Sequence, residues 1–368
     1  MINVIFISVH PAPYRDPFFA LLSQQPNVRL KVYHLFNLDK GHDFWNLPPP
    51  PYVSHIMERG IIIGKFKIFH PEIIKLLLKE KYDIIVTPGF IHYTTVFILI
   101  YCALFRKKYV LTFDTVAEKT NSKKIRKYFY KHAAAFFVPG KASEQYLLRM
   151  GIPLTKILHG AYDLDKREIC LAMAKEDKIK NRLCFDIQQH STVFLMVANM
   201  TPNRDYPILF KAFYDFNQKN PDSFLLVVGS GVELTTINDF CDTVKLNNFK
   251  IILSSSYGDL AKYYAVADWY IHTGSEPYST AVKYAAIAGI PIISSYSIGA
   301  SYDYIKPDKT GIIVDNPKDA KAWSDAMEVA CNSDSACMGK YLKESTENTL
   351  MYHVEQFANF ILTRKNEI

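Results

Sequence analysis

Between Ala265 and Asp319 the chain sets short apolar runs against polar loops in an order that few folds accept. Trp269–His272 has the length and composition of a buried strand. It ends in a loop with one carboxylate, Glu276. Ser279 and Thr280 suit the start of a helix, Gly289 stops it, and Pro291 opens another apolar run. Strand, polar loop and helix N-terminus in this order leave backbone N–H groups free to face an anion. Glu276 beside such a place suits a sugar hydroxyl next to a phosphate.

The same alternation runs through the rest of the chain. In the first half the strand candidates are Val4–Val9, Leu30–Leu35, Ile84–Thr87, Tyr109–Phe113, Ala135–Val138 and Ile157–Gly160. Amphipathic stretches at Pro17–Gln25, Pro71–Lys81 and Ser143–Met150 separate them, and Phe90–Phe105 reads as a buried helix too polar to span a membrane. In the second half the candidates are Val193–Val197, Phe224–Val228, Lys250–Leu253, Trp269–His272, Ile292–Ser294 and Ile312–Val314. This pattern predicts an α/β chain of parallel sheets with helices on both faces. The chain's 368 residues exceed one core and suit two domains. The expected boundaries are 1–163, 164–350 and a C-terminal helix, 351–368, that crosses back to the first domain. Asp163–Gln189 reads as the linker, and Asn37–Gly64, with four consecutive prolines, as a long irregular insertion.

Charge and cysteines narrow the setting. The six cysteines form no Cys-x-x-Cys pair, which predicts free, mostly buried thiols in a reducing compartment. No basic segment precedes the first apolar run, so a cytoplasmic place is expected. The net charge of +7 is concentrated around Lys65–Lys81, Arg106–Lys108 and Lys119–Lys131, with Phe66, Phe69, Tyr128, Phe129 and Tyr130 among the cations. Such a basic, aromatic face suits an anionic membrane surface, and no nucleic-acid module accompanies it. No Asp-x-Asp or His-Glu-x-x-His pattern occurs, so no metal site and no cofactor are predicted.

Ala267-Asp268, Ser275-Glu276-Pro277-Tyr278, Gly289-Ile290-Pro291, Ser295, Gly299-Ala300, Asp303-Tyr304-Ile305 and Gly311–Val314 follow one another in the order found in family-four glycosyltransferases, which this stretch resembles. The loop His10–Phe18, with its Pro-Tyr-Arg core, is similar to the opening loop of one branch of that family, as are Val138–Lys141, Met150–Pro153 and Ala161–Asp165. The resemblance implies the GT-B fold, two Rossmann-like doubly wound domains facing a cleft. It implies retaining transfer of a sugar from a UDP-linked donor to a glycan or lipid-linked acceptor of bacterial surface polysaccharide such as lipopolysaccharide. The enzyme would sit at the inner face of the cytoplasmic membrane.

By the same resemblance, Arg204 stands where the family has its diphosphate-binding lysine, and Asn199 replaces the partner arginine. Gly229 holds the Gly-x-Gly position. Ser256 and Tyr257 fall at the nucleobase pocket. Glu276, Tyr278, Ser279 and Thr280 form the donor loop. Tyr284 takes the place of a second glutamate that binds ribose, and Ser279 that of a glycine. His10 and Arg15 flank the first-domain loop that would face the donor, and Asp114 ends a strand at the same sheet edge, where the family places an acceptor-side polar residue. The expected catalytic set is therefore Glu276, Arg204, Asp114 and His10. Tyr284 and Asn199 also keep open a second reading, a weakened nucleotide-sugar-binding subunit.

Overall fold

A computed structural model describes residues 1–37, 48–63, 67–114 and 123–365. The chain divides into two compact units, one formed by the chain up to Leu164 with the segment from Thr349 onward, the other by Asp165–Asn348.

The first unit contains β1 (Ile2–Ser8), α1 (Asp16–Ser23), β2 (Val28–His34), β3 (Val53–Ile56), β4 (Ile61–Ile63), β5 (Lys67–Phe69), α2 (Glu72–Lys79), β6 (Ile84–Pro88), α3 (Tyr93–Leu104), β7 (Tyr109–Thr112), α4 (Lys123–His132), β8 (Ala135–Val138), α5 (Lys141–Arg149) and β9 (Ile157–His159). Seven strands form one sheet in the order β3-β2-β1-β6-β7-β8-β9, and every pairing is parallel. Both faces are covered, so β1, β6 and β8 are apolar almost throughout instead of alternating. Two cores result. One lies under α2, α3 and α5; the other lies under α1 and is closed by Val354, Phe357 and Ile361 from the chain's end.

The second unit contains α6 (Lys166–Met173), α7 (Lys178–Cys184), β10 (Thr192–Val197), α8 (Tyr206–Asn217), β11 (Ser223–Val228), α9 (Leu234–Val244), β12 (Phe249–Ile252), α10 (Leu260–Val266), β13 (Trp269–His272), α11 (Thr280–Ala288), β14 (Ile292–Ser294), α12 (Ser301–Tyr304), β15 (Gly311–Ile313), α13 (Ala320–Cys331) and α14 (Ser335–Ser345). Its six parallel strands run β12-β11-β10-β13-β14-β15. The last helix, α15 (Leu350–Lys365), packs against α1 and β9 of the first unit. In each sheet the strand order reverses beside the first strand, between β1 and β6 and between β10 and β13. Loops leaving the carboxyl ends of such strands diverge, and ligands of doubly wound sheets enter there.

Several expectations change. Part of the segment read as an irregular insertion is ordered: β3 extends the sheet beyond β2, and β4 pairs with β5 as an antiparallel hairpin. Its residues 38–47 and 64 lie outside the described residues. The segment read as a linker holds α6 and α7, each begun by an aspartate whose carboxylate accepts first-turn N–H groups, Asp165 from Arg167 and Asp177 from Ile179 and Lys180. α7 sends Arg182 beneath the sheet, where it donates to the Val266, Gln189 and Ser191 carbonyls and to Asp268 Oδ2 at 2.7 Å. Asp268 also accepts the Val193 N–H at 2.8 Å, so the Ala-Asp pair before β13 braces the fold. α3 is buried along one side only, with Ile100 and Leu104 outward. Three of the six free cysteines, Cys184, Cys331 and Cys337, are exposed, contrary to the expectation of mostly buried thiols.

Candidate active site

The loops after β10 and β13 meet at the switch point of the second sheet. After β10 the chain makes a short 3-10 turn, Pro202–Arg204, and Asp205 takes a left-handed conformation (φ 51°) before α8. After β13, Gly274 has φ 84°. A Cβ there would lie 2.2 Å from the Asn203 carbonyl oxygen and 2.5 Å from the Arg204 Cα, so only glycine lets the two loops touch. The Ser275 N–H donates to the Asn203 carbonyl at 2.8 Å, and Thr273 Oγ1 donates to the Arg204 carbonyl at 2.7 Å. Below them, the Met200 N–H donates to the Ser230 carbonyl at 2.7 Å. Gly229 lies so close to Ala198 that a Cβ would stand 2.0 Å from its carbonyl oxygen. Gly229 thus shapes the loop from beneath.

This clamp brings Arg204 onto Glu276. Arg204 Nη2 pairs with Glu276 Oε2, and both side chains are mostly buried. The other carboxylate oxygen, Oε1, lies 3.0 Å from Nε2 of His272, whose side chain is only 1 % exposed. The contact lies off the axis of an aligned hydrogen bond. On its far side, His272 Nδ1 is 2.9 Å from the Tyr270 hydroxyl, which can donate to the Val197 carbonyl at 3.3 Å. The Tyr270 hydroxyl and His272 Nδ1 share one hydrogen bond, whose donor depends on the imidazole tautomer.

Burial opposes charge on Glu276. The adjoining His272 ring and its charge, then the Arg204 charge and the Ser279 hydroxyl, outweigh burial and hold the carboxyl below its ordinary value of 4.5. Glu276 is therefore an anion with both oxygens engaged. It is suited to accept a hydroxyl and poorly suited to attack carbon or deliver a proton. Arg204 uses one nitrogen on Glu276, while its buried Nε and Nη1 have no partner among the described residues. A guanidinium so placed keeps donors for a second anion such as a phosphate.

α11 starts beside this cluster. Ser279 is buried and its hydroxyl accepts the Val282 N–H at 3.4 Å, with Thr280 as the first helical residue. The Tyr278 hydroxyl turns inward, 3.3 Å from that of Tyr304. Asn199 is exposed on the β10 loop. Ser256 caps the turn after β12, accepting the Asp259 N–H at 3.2 Å, and Tyr257 begins that turn at the sheet's outer strand. Tyr284 is 4 % exposed and stacks on Tyr264 with ring centroids 4.3 Å apart. Tyr264 in turn stacks on Tyr270, and Tyr270 on His272. Where a second glutamate was the expected counterpart, an aromatic column thus runs through the core to the imidazole. His10 and Asp114 belong to the first unit. His10 Nδ1 lies 2.7 Å from the Pro11 carbonyl oxygen, and Asp114 Oδ2 accepts the Tyr162 hydroxyl at 3.0 Å.

Sequence reasoning assigned no role to His272 or Tyr270. Their signal is faint: a histidine ending an apolar strand, four residues before the glutamate. Among the described residues no group of three or more His, Cys, Asp or Glu side chains could hold a metal ion.

Two parallel doubly wound sheets, each with its own switch point, define the GT-B fold of glycosyltransferases. Residues 177–348, most of the second unit, match the family model described as glycosyl transferases group 1. The chain is similar in fold to Anabaena Alr3699/HepE, crystallised with UDP and glucose, at a TM-score of 0.76 and 15 % identity over 99 % of this chain and 100 % of that one. A glycosyltransferase from Rickettsia africae ESF-5 superposes at 0.70 and 17 % identity, covering 100 % of this chain and 97 % of that one. WaaG, a glycosyltransferase involved in lipopolysaccharide biosynthesis, superposes at 0.68 and 11 % identity, covering 97 % and 99 %. No curated protein sequence matches.

Proposed function

We propose that the protein is a retaining, metal-independent glycosyltransferase that moves a sugar from a UDP-sugar to a glycan or lipid-linked acceptor of bacterial surface polysaccharide. The observation that carries this reading is the Arg204–Glu276–His272 cluster at the second sheet's switch point, beside the start of α11. HepE, similar in fold, has been crystallised with UDP and with UDP-glucose. In this reading Arg204 and the helix start neutralise charge that builds on the leaving diphosphate. Preorganised donors of this kind usually contribute more to catalysis than any other single effect. Glu276 orients a hydroxyl of the transferred sugar. Both Glu276 oxygens are engaged, and, as the family resemblance implies, the donor phosphate takes the acceptor proton. The first unit, through His10 and Asp114, receives the acceptor.

A second reading, a binding subunit with weakened chemistry, draws on the exposed Asn199 and the buried Tyr284. Incubation with UDP-sugars in the absence of acceptor separates the two. A transferase releases UDP slowly, whereas a protein that binds UDP and never releases it from any of a panel of UDP-sugars, with or without glycan acceptors, is a binding subunit.

Attachment to a membrane through the first unit belongs to the same function. No helix among the described residues is long and apolar enough to cross a bilayer. Phe129 and Tyr130, expected on the basic face, are core residues; Leu78, Leu104, Phe105, Ile125 and Tyr128 are exposed instead. Lys75, Lys79, Arg106, Lys107, Lys127 and Lys131 are exposed on the same helices or just beyond them. Apolar side chains with cations around them suit the headgroup boundary, each cation adding about 1 kcal/mol near anionic lipid. Sedimentation with phosphatidylglycerol vesicles is expected at low salt. It should decline toward 1 M salt, where the Debye length falls to about 3 Å. Equal recovery with phosphatidylcholine vesicles would exclude an electrostatic attachment.

A further inference from the structure

The first sheet has a switch point of its own, and the residues there point to a ligand. The loop leaving β1 carries Arg15, and a cavity of about 50 Å³ opens beside it, its polar side formed by Ser8, Arg15, Thr112, Asp114 and Tyr162 and the rest of its lining aromatic and aliphatic. At about 10–15 Å³ per water this is room for roughly four waters, about the size of a tetrahedral oxyanion. Arg15 Nη1 donates to Ser8 Oγ at 2.9 Å. Its guanidinium carbon stands 5.4 Å from the Tyr14 ring centroid and 5.3 Å from that of Tyr162, and the two rings are nearly perpendicular. Among the described residues no carboxylate forms an ion pair with Arg15. The Ser8 hydroxyl and two aromatic faces fix the fork without neutralising it.

The neighbours favour one cation and one hydroxyl acceptor. Asp114 holds the Tyr162 hydroxyl with Oδ2 at 3.0 Å, so carboxylate and guanidinium flank the same tyrosine. His34, paired with Ser8 in the sheet register, is 1 % exposed, and its Nδ1 has no partner among the described residues. Burial first, then the charges of Arg15 and His10, push the His34 imidazole down to about 4, so it adds no second charge near neutral pH. Asp114 and Asp16 act on Arg15 by longer-range attraction only, so among the described residues an arriving phosphoryl group would be the first anion in direct contact with the guanidinium.

We propose that this cavity is a subsite for a single phosphoryl group on the acceptor, with Arg15 as its cation and Asp114 receiving an adjacent hydroxyl. The identity of the ligand as acceptor rests on the transferase reading; the anion site does not. Its source is either a lipid phosphate or a soluble sugar phosphate.

Calorimetric titration of the whole protein, without donor, tests this. The probes are inorganic phosphate, glucose 6-phosphate and farnesyl phosphate, with glucose and farnesol as uncharged controls. The phosphorylated probes should bind and the controls should not. Arg15→Gln should weaken binding by roughly tenfold or more, the loss expected for a charge-assisted hydrogen bond. Arg15→Lys should retain part of it, and saturating UDP, which occupies the Arg204 side and so removes any phosphate binding there, should leave it unchanged. Tighter binding of farnesyl phosphate assigns a lipid acceptor, and tighter binding of glucose 6-phosphate a soluble one; both uphold the subsite. Wild-type protein that binds none of the phosphorylated probes overturns it, whether or not Arg15→Gln folds. So does a folded Arg15→Gln variant that binds them as the wild type does. Phosphate binding without sugar transfer to any acceptor would leave the subsite standing and count against the transferase reading. Transfer without phosphate binding would do the reverse.

Discussion

Arg204→Ala is expected to lower affinity for UDP by about 10- to 150-fold, equivalent to roughly 1.5–3 kcal/mol for a hydrogen bond between charged groups. It should also destabilise the second unit, because Glu276 would remain mostly buried beside a lost cation. Breaking one side of a fully buried pair costs about 3–5 kcal/mol, and the partial exposure of this pair places it toward or below the lower end. Arg204→Met combined with Glu276→Gln removes both charges and should recover part of that stability while leaving UDP binding weak. Isothermal titration and urea unfolding read the two effects separately. Unchanged UDP affinity in a folded Arg204→Ala protein would show that the diphosphate lies elsewhere. An additive double variant would show that the two side chains are not energetically coupled.

Glu276→Gln should spare UDP binding and damage transfer. The substitution keeps the shape and removes the anion that would hold a sugar hydroxyl, so turnover should fall on the order of 10²-fold while the affinity for UDP changes by less than about threefold. Equal losses in both measurements would move Glu276 from the sugar to the nucleotide. The pH dependence adds an independent reading. Because the folded-state pKa of Glu276 lies below its ordinary value of 4.5, its contribution to stability is complete above that value and is lost as pH falls through the depressed one. His272→Phe removes the imidazole that supports the anion. The acid limb of transfer and of stability should then move upward in pH, toward and beyond the ordinary glutamate range. An acid limb unmoved by His272→Phe would mean that Arg204 and Ser279 alone hold the charge.

The fold class was legible because its signals are local. Apolar runs such as Ala135–Val138, Trp269–His272 and Ile292–Ser294 coincide with strands, since a strand buried on both faces cannot carry charge. Ser279 at the start of α11 and Gly289 at its end follow from backbone groups that a helix leaves unpaired at its termini. β3 was not legible. It is an edge strand whose pairing comes from β2 and whose side chains are largely exposed, so its sequence carries no apolar run. α6 and α7 were hidden by polar composition, since each buries few side chains.

The sequence by itself determined that two doubly wound parallel sheets form and that Glu276 precedes a helix start, because periodicity, caps and turn residues act over a few neighbours. Only the tertiary structure decided that Arg204 would close on Glu276, that His272 would stand behind it, and that Tyr284 would join an aromatic column in place of a carboxylate. The physical reason is the parallel sheet: β10 and β13 are neighbours in space although two strands lie between them in the chain. The contact between their loops depends on Gly274 permitting a backbone approach that no short-range rule announces.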